Sequence, residues 1–239
     1  MKAELYSYTT AAGDHQHRTI DEILVYKARV SSKRKDLYHN PAGLLTHCIQ
    51  SGHWSVFEMA HCCFRIETSR AMGREALRHD AAFQEFSQRY AEVTQVEWPE
   101  QRMQAETNRQ SSTILASDEA HQIANAAIQN SLDAYQQLIA AGVSRETARM
   151  ILPEATTTTM FMHNSIRNWI TFFNSRLHWT AQKEVRLIAE TIRDEFIRQL
   201  PITSAALNNF KGADKYHILA QLNVMYYENE IDNIKALWK

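Results

Sequence analysis

A thirteen-residue segment, RHDAAFQEFSQRY at 78–90, concentrates side chains that could hold an anion. It begins with Arg78 and His79 and ends with Ser87, Gln88, Arg89 and Tyr90. The guanidinium fork of arginine suits phosphate and carboxylate oxygens. No Gly-x-Ser-x-Gly elbow surrounds the serine, so a hydrogen bond to a bound anion is a better use for it than nucleophilic attack. The segment is therefore either a polar amphipathic helix or the wall of an anion site.

Further candidates lie in four other segments. Arg74 precedes Arg78 by four residues, which would place both on one face of a helix. Arg149 lies in ARMILP, and Arg167 and Arg176 lie in SIRNWITFFNSRLHW. A histidine, at position 53, follows a glycine that can end a helix, in SGHWSVFEMAH. Taken singly, each arginine is typical of a solvated helix face and the histidine of a packed turn.

The composition limits the partners. The chain has 239 residues, 44% of them hydrophobic, and a formal net charge of -1, so no global basic field indicates nucleic acid or a membrane surface. Three cysteines without a Cys-x-x-Cys spacing do not predict a zinc site. The odd number of cysteines and the lack of an apolar leader or a long apolar run predict a cytoplasmic protein without transmembrane helices.

The elements that must position these residues are helices and a modest number of strands. Alternating or β-branched patterns predict strands at 3–9, 61–69 and 154–163, with one of Cys62 and Cys63 facing the core and the other facing out in the second strand. Thr19 and Ser144 are predicted helix N-caps, and Gly52 and Gly142 are predicted helix ends. Helices are predicted near 19–31, 42–52, 70–79, 119–141, 145–152, 165–177, 181–200 and 215–238. This pattern predicts an α+β fold, a single domain over 1–239 with a central mixed or antiparallel sheet flanked by helices.

Together these segments resemble the flavin-dependent thymidylate synthase family. RHDAAFQEFSQRY is similar to the family signature of Arg-His-Arg, seven residues and Ser, and GHWSVFE to its histidine loop. ARMILP resembles the Ala-Arg-x-x-Leu-Pro element, and SIRNWITFFNSRLHWTAQKEVR the Asn-Ala-Arg-Ser-Leu segment with its following Ala-Gln-x-Glu-Ile-Arg. The elements occur in family order over most of residues 1–195.

The chain departs from the family pattern at several positions. Asp80 stands where the signature has its third arginine, and only six residues separate it from Ser87. Glu75 replaces a glutamine, and Ser165 and Thr171 replace asparagines. Two of these changes introduce negative charge, so they bear on how flavin phosphates are bound.

The resemblance implies a homotetramer with active sites where subunits meet. Each site would hold FAD and dUMP, with methylenetetrahydrofolate as carbon donor and NADPH as the reductant of the flavin. The C5 atom of the pyrimidine gains a methylene group, which a hydride from reduced flavin converts to methyl. No cysteine lies in the motif segments. The resemblance therefore implies electrostatic activation of C5 rather than attack by a thiolate.

The resemblance also implies roles for individual residues. Arg176 matches the arginine that polarises the pyrimidine and is the implied catalytic residue. The implied nucleotide-binding residues are Glu75, Arg78, Glu85, Phe86, Ser87, Gln88, Arg89, Arg149 and Arg176. The implied cofactor-binding residues are His53, Ser55, Arg78, His79, Asp80, Glu85, Ser165, Arg167 and Thr171. No metal ligand is implied.

Two alternatives to dUMP methylation stay open at this stage. The first is the same reaction on dCMP, because a carboxylate such as Glu75 or Asp80 can accept from the cytosine amino group and an arginine cannot. The retained Arg176 suits uracil. The second is a flavin- or nucleotide-binding homologue that has lost catalysis. Against it stands the joint retention of five residues: Arg78, Ser87, Arg89, Arg149 and Arg176.

Overall fold

The structure is a computed structural model that describes residues 1–106 and 112–208. Its strands are β1 (Lys2–Tyr8), β2 (His61–Ser69), β3 (Ala82–Glu85), β4 (Arg102–Gln104), β5 (Ser112–Leu115) and β6 (Thr157–Ser165). Four of them form a sheet in the order β1-β2-β6-β3, and β4 pairs with β5 in an antiparallel arrangement. The predicted α+β class is confirmed.

The α-helices are α1 (Ile20–Ala28), α2 (Pro41–Gln50), α3 (Arg70–Ala76), α4 (Asp118–Ala140), α5 (Arg145–Ala148), α6 (Ile166–Arg176), α7 (Lys183–Gln199) and α8 (Pro201–Asn208). Three short 3-10 helices cover Gly13–His15, Trp54–Glu58 and Arg149–Ile151. Within the described ranges, no helix has both the length and the apolar character needed to cross a membrane.

Local signals set several of these boundaries. Thr19 caps α1 in a capping box, because its hydroxyl accepts from the Glu22 N–H while the Glu22 carboxylate accepts from the Thr19 N–H. Gly52 (φ +69°) and Gly142 (φ +83°) follow α2 and α4 in the left-handed region that glycine adopts without strain. These cap and end predictions are confirmed.

The chain divides into two compact units. Unit 1 comprises Met1–Lys2, Ile66–Arg78 and Gln84–Met160, and unit 2 comprises Ala3–Arg65, His79–Phe83 and the chain from Phe161 onward. A small core in unit 1 contains Val93, Leu132, Tyr135 and Ala148. An aromatic cluster forms much of the core of unit 2, and its members are Phe64, Trp169, Phe172, Phe173 and Phe196. That one domain spans residues 1–239 stays a prediction.

Several predictions based on local pattern are wrong. Helix α3 ends at Ala76, so Arg78 lies beyond it and shares no helical face with Arg74; Arg74 pairs with Glu154, and Arg78 with Glu75. Cys63 is buried like Cys62, with 8% of its surface exposed, because both faces of β2 are covered at that point.

Other differences concern helix starts and unpredicted elements. The Ser144 hydroxyl contacts the Thr147 hydroxyl at 3.0 Å and makes no backbone cap, and the helix that it precedes gives way to a 3-10 turn after four residues. Strands β3, β4 and β5 and helix α8 were not predicted, and the polar segment after Asp80 is a strand and a turn rather than a helix. The helix predicted at 215–238 lies outside the described residues.

Helix α8 begins on a buried carboxylate from α1. Asp21 is 1% exposed, and its two oxygens accept hydrogen bonds from the Ile202 N–H (2.5 Å), the Thr203 N–H (3.0 Å) and the Thr203 hydroxyl (2.5 Å). Burial raises the pKa of Asp21 to about 6, against the lowering effect of these hydrogen bonds. The start of α8 therefore depends on a residue far away in the sequence.

Candidate active site

A tight turn follows β3 in unit 1 and carries the signature serine. The Ser87 carbonyl accepts from the N–H groups of Tyr90 (3.1 Å) and Ala91 (3.2 Å), and its hydroxyl accepts from the Arg89 N–H (3.3 Å). The Phe86 N–H donates to the Thr159 carbonyl on β6 at 2.8 Å. The bond to β6 therefore fixes the start of the turn that presents Ser87, and hydrogen bonds within the turn stabilise the rest.

Two ion pairs tie this turn to α5. Arg89 contacts Glu146 at 3.1 Å, and Arg145 contacts Glu92 at 2.8 Å. All four side chains are largely exposed, so each pair contributes little alone. Both pairs connect the turn to the helix that leads into the ARMILP segment.

Arg149 opens the 3-10 helix that follows α5. It is half-buried, and among residues 1–106 and 112–208 it makes no ion pair or hydrogen bond through its side chain. The Ser131 hydroxyl donates to the Ile151 carbonyl and so anchors this short helix. A partly buried guanidinium without a carboxylate is best satisfied by a bound anion.

Gln88 is placed differently from the other turn residues. It is only 5% exposed, and its Nε2 atom is buried without a hydrogen-bond partner in the described part of the chain. In contrast, Phe86 is exposed. The structure therefore brings Ser87 and Arg89 to the surface of the turn and turns the Gln88 side chain inward.

In unit 2, one face of α6 meets the residues that begin the signature. Asn168 Nδ2 donates to the Asp80 carbonyl (3.1 Å) and carboxylate (3.4 Å). One turn later the Phe172 ring lies edge-on to His79 with centroids 5.0 Å apart. Another turn later Arg176 Nε donates to His79 Nε2 at 2.7 Å. The i, i+4, i+8 spacing places all three helix residues on one face.

The histidine loop lies in the same unit. The His53 N–H donates to the Cys48 carbonyl at 2.8 Å, and both His53 and Ser55 are exposed. Glu58, at the end of the 3-10 helix, pairs with Arg167 at 3.0 Å, and about half of each side chain is exposed. Glu58 and Asn168 were missed by the sequence reasoning. Asn168 could have been found from its helical spacing to the motif residue Arg176.

Two of the implied cofactor residues are already engaged within unit 2. The hydroxyl of Ser165, a buried residue, accepts from the Asn168 N–H as the N-cap of α6. The Thr171 hydroxyl donates to the Arg167 carbonyl one turn earlier, but its side chain stays exposed. The substitutions at these two positions thus have local structural roles in α6.

The thiols are poor nucleophiles. All three cysteines are free and buried. Burial raises the pKa of Cys62 to about 12 and also raises the pKa values of Cys48 and Cys63. Since the thiolate is the reactive form, none of them is poised to attack a substrate. Among the described residues, no group of three or more histidine, cysteine or acidic side chains is arranged to hold a metal ion.

Comparison with known proteins gives the family. The family described as thymidylate synthase complementing protein matches residues 8–202. A flavin-dependent thymidylate synthase of Synechocystis is 40% identical over 191 residues, which are 77% of this chain and 88% of that protein. The chain belongs to the flavin-dependent thymidylate synthase family. The family assignment and the prediction that the protein is an enzyme of this type are confirmed.

Two further comparisons are informative for this family member. A probable flavin-dependent thymidylate synthase of Paramecium bursaria Chlorella virus 1 is 35% identical over 87% of this chain and 99% of that protein. A crystal structure of the UMP/dUMP methylase PolB of Streptomyces cacaoi, bound with 5-Br dUMP, superposes with a TM-score of 0.73. That alignment covers 87% of this chain and 95% of PolB at 24% identity, so it shows a shared fold.

Proposed function

We propose that this family member catalyses the FAD-dependent reductive methylation of dUMP at C5, giving thymidylate. Methylenetetrahydrofolate would donate the carbon, and NADPH would reduce the flavin. The observation that carries the nucleotide part is Arg149, a half-buried guanidinium without a carboxylate partner among the described residues. The names of the relatives support the reaction, since they are flavin-dependent thymidylate synthases.

The nucleotide phosphate would be held by residues of unit 1. Arg149 and Arg89 supply cationic N–H donors, and the Ser87 hydroxyl can donate to a phosphate oxygen while it accepts from the Arg89 N–H. The Arg89–Glu146 pair is exposed, so Arg89 can turn from this carboxylate to a phosphate at small energetic cost. Gln88 would support the turn from inside rather than touch the phosphate.

Arg176 would activate the pyrimidine. Its Nε–H is directed at the His79 ring nitrogen, which must be unprotonated to accept. That contact orients the guanidinium, whose terminal N–H groups would donate to the ring carbonyl and interact with N3 of the bound nucleotide. A cation there stabilises the negative charge that develops on the ring as C5 attacks, and no thiolate is needed.

The exposed polar residues of unit 2 fit a flavin nucleotide. Arg167 can donate to a phosphate oxygen, and His53, Ser55 and Thr171 add donors on the exposed side of the same unit. The hydroxyl of Ser165 is used as a helix cap, and the Asp80 carboxylate accepts from Asn168, so these two would contribute shape rather than phosphate donors. When bound, reduced flavin would supply the hydride that completes the methyl group.

Two carboxylates, those of Glu75 and Asp80, could recognise the cytosine of dCMP. Their contacts favour dUMP instead. Glu75 pairs with Arg78 at 3.5 Å, and Asp80 accepts from Asn168. A carboxylate that already accepts from a protein donor is less available for the cytosine amino group. Arg176, in contrast, suits the carbonyl that uracil presents.

The substrate is tested by product analysis. The purified protein is incubated with dUMP or dCMP in separate reactions that contain FAD, methylenetetrahydrofolate and NADPH, and the nucleotides are analysed by mass spectrometry. We expect dUMP to gain one CH₂ unit and dCMP to remain unchanged. A methylated product from dCMP alone would show that the base assignment is wrong. Flavin binding without any product would favour the non-catalytic alternative.

The flavin and the assembly are tested separately. We propose that the protein binds FAD without a covalent bond and is a homotetramer, as implied for the family. A protein that stays colourless after FAD is added contradicts the first proposal. Light scattering that reports a 27.6 kDa monomer with full activity contradicts the second.

Arg149→Ala is expected to weaken dUMP binding while it leaves kcat nearly unchanged. The phosphate contact is the same in the bound nucleotide and in the transition state, so its loss is uniform. A charge-assisted hydrogen bond corresponds to about 10- to 100-fold in Kd. Kd is measured by calorimetry and kcat at saturating dUMP. The matched control is Arg198→Ala, which removes an exposed arginine of α7 that pairs with Glu195. An unchanged Kd would remove Arg149 from the phosphate site.

A further inference from the structure

The carboxylate of Glu85, the last residue of β3, is held by two side chains that none of the motifs includes. Its Oε1 atom accepts from the Thr158 hydroxyl at 2.7 Å and contacts Arg70 Nη1 at 3.2 Å. The carboxylate is 22% exposed and the Arg70 side chain 27% exposed, so the contact is partly shielded from water. An ion pair in such a position is screened less than one on the open surface.

Backbone hydrogen bonds fix the positions of both donors and of the acceptor. The Arg70 N–H donates to the Thr156 carbonyl at 2.9 Å, and Thr158 lies two residues further along the same segment. On the acceptor side, the Phe86 N–H donates to the Thr159 carbonyl at 2.8 Å. The Thr158 side chain is buried on β6. These bonds leave the Glu85 side chain little freedom to move independently of its two donors.

The arrangement orients the carboxylate. Both contacts meet Oε1, so Oε2 is the oxygen that can accept from a further donor. Glu85 immediately precedes the turn that carries Ser87 and Arg89, and a carboxylate can only accept hydrogen bonds. A fixed acceptor at this point suits an N–H or O–H group of the nucleotide or of the flavin.

We infer that Arg70 and Thr158 are positioning residues that orient Glu85 for its ligand. The inference rests on the proposed function, which places Glu85 in the nucleotide and flavin sites. Without either contact the carboxylate gains rotamer freedom, and its hydrogen bond to the ligand is formed in a smaller fraction of molecules. Misplacing a positioning group by about 1 Å can cost up to 10²-fold in rate.

The test is a double-mutant cycle of Thr158→Val with Glu85→Gln. Valine keeps the shape of threonine and removes only the hydroxyl. We expect Thr158→Val to lower kcat/KM for dUMP by about 10-fold in the wild-type background. In the Glu85→Gln background it should have little further effect, because Thr158 acts through that carboxylate. Thr158→Ser, which keeps the hydroxyl, should restore activity.

Matched controls separate positioning from stability. Thr159→Val removes a hydroxyl from the adjacent strand residue, which points to the other face of β6, and it should leave kcat/KM unchanged. Arg70→Gln should behave like Thr158→Val. Arg74→Gln should leave kcat/KM unchanged. Arg74 lies on the same helix as Arg70, and its substitution breaks only an exposed ion pair with Glu154. Thermal midpoints are measured for all variants, so that a loss of fold is recognised.

The outcomes keep this inference distinct from the proposed function. If the wild type converts dUMP and the effect of Thr158→Val persists in full in the Glu85→Gln background, the positioning role is wrong while the function stands. If the wild type converts no nucleotide, the proposed function fails, and the same cycle is measured on Kd for dUMP and for FAD. If Thr158→Val then has no effect on Kd in the Glu85→Gln background, the positioning role is still supported. Additive effects, or no binding of either ligand, would overturn it.

Discussion

Arg176→Ala is expected to lower kcat for dUMP methylation by about 10²–10³-fold, the usual cost of removing one donor aimed at a developing negative charge. The guanidinium would face the pyrimidine carbonyl and N3, where charge is larger in the transition state than in the bound nucleotide. Interactions that strengthen only in the transition state affect kcat more than nucleotide binding. The measurement is steady-state kinetics at saturating folate and NADPH, with Kd for dUMP determined independently.

Two variants sharpen this result. Arg176→Lys should recover little activity, because an ammonium cannot reproduce the two-pronged geometry or the Nε contact to His79. Arg198→Ala, on the exposed side of α7, serves as the control for a general loss of positive charge. If Arg176→Ala keeps kcat and only raises KM, another group activates the ring, and Glu75 and Asp80 are the first to examine.

Asp21→Ala is expected to lower the free energy of unfolding by about 2–4 kcal/mol, because two backbone N–H groups and one hydroxyl at the start of α8 lose their acceptor. Each of these donors is buried and has no route to water without local opening. The measurement is urea denaturation at a fixed protein concentration, with Asp133→Ala on the exposed face of α4 as the control. The control should stay within about 0.5 kcal/mol of the wild type.

The effect of Asp21→Ala should depend on pH. Burial raises the pKa of this carboxyl from 3.8 to about 6 in the folded protein, so the native state binds the proton more tightly than the unfolded chain. The stability linked to that proton is fully present below pH 4 and is lost as the pH rises through 6. The substitution should therefore destabilise the protein more at pH 4 than at pH 7. Equal destabilisation at both pH values would contradict the burial-induced shift.

Where an element depends on neighbouring residues, the sequence predicted it well. Strand β2 occupies His61–Ser69, as its alternating pattern indicated, and α1 begins at the capping box of Thr19 and Glu22. Helix α4 starts after Ser117 and ends just before Gly142. Helix caps, glycine turns and hydrophobic periodicity act over a few residues, so they can be recognised from the sequence alone.

Elements that depend on distant partners were missed. Strand β3 has only four residues, Ala82–Glu85, and they take strand form because β6 lies beside them, as the bond from the Phe86 N–H to the Thr159 carbonyl shows. Helix α8 needs the Asp21 carboxylate. To predict either element, one would have to know of a contact between residues far apart in the chain. The local sequence pattern alone carries no such information.

The sequence by itself determined the family and the set of residues that could do the chemistry, because four ordered motifs fix residue types at fixed spacings. Only the tertiary structure decided how those residues are used. It left Arg149 without a carboxylate partner in the described chain, turned Gln88 inward, and set Arg176 against His79. It also placed Asn168 so that its side-chain amide donates a hydrogen bond to Asp80. Partner choice follows from the packing of elements far apart in sequence, where burial and geometry select which polar groups meet.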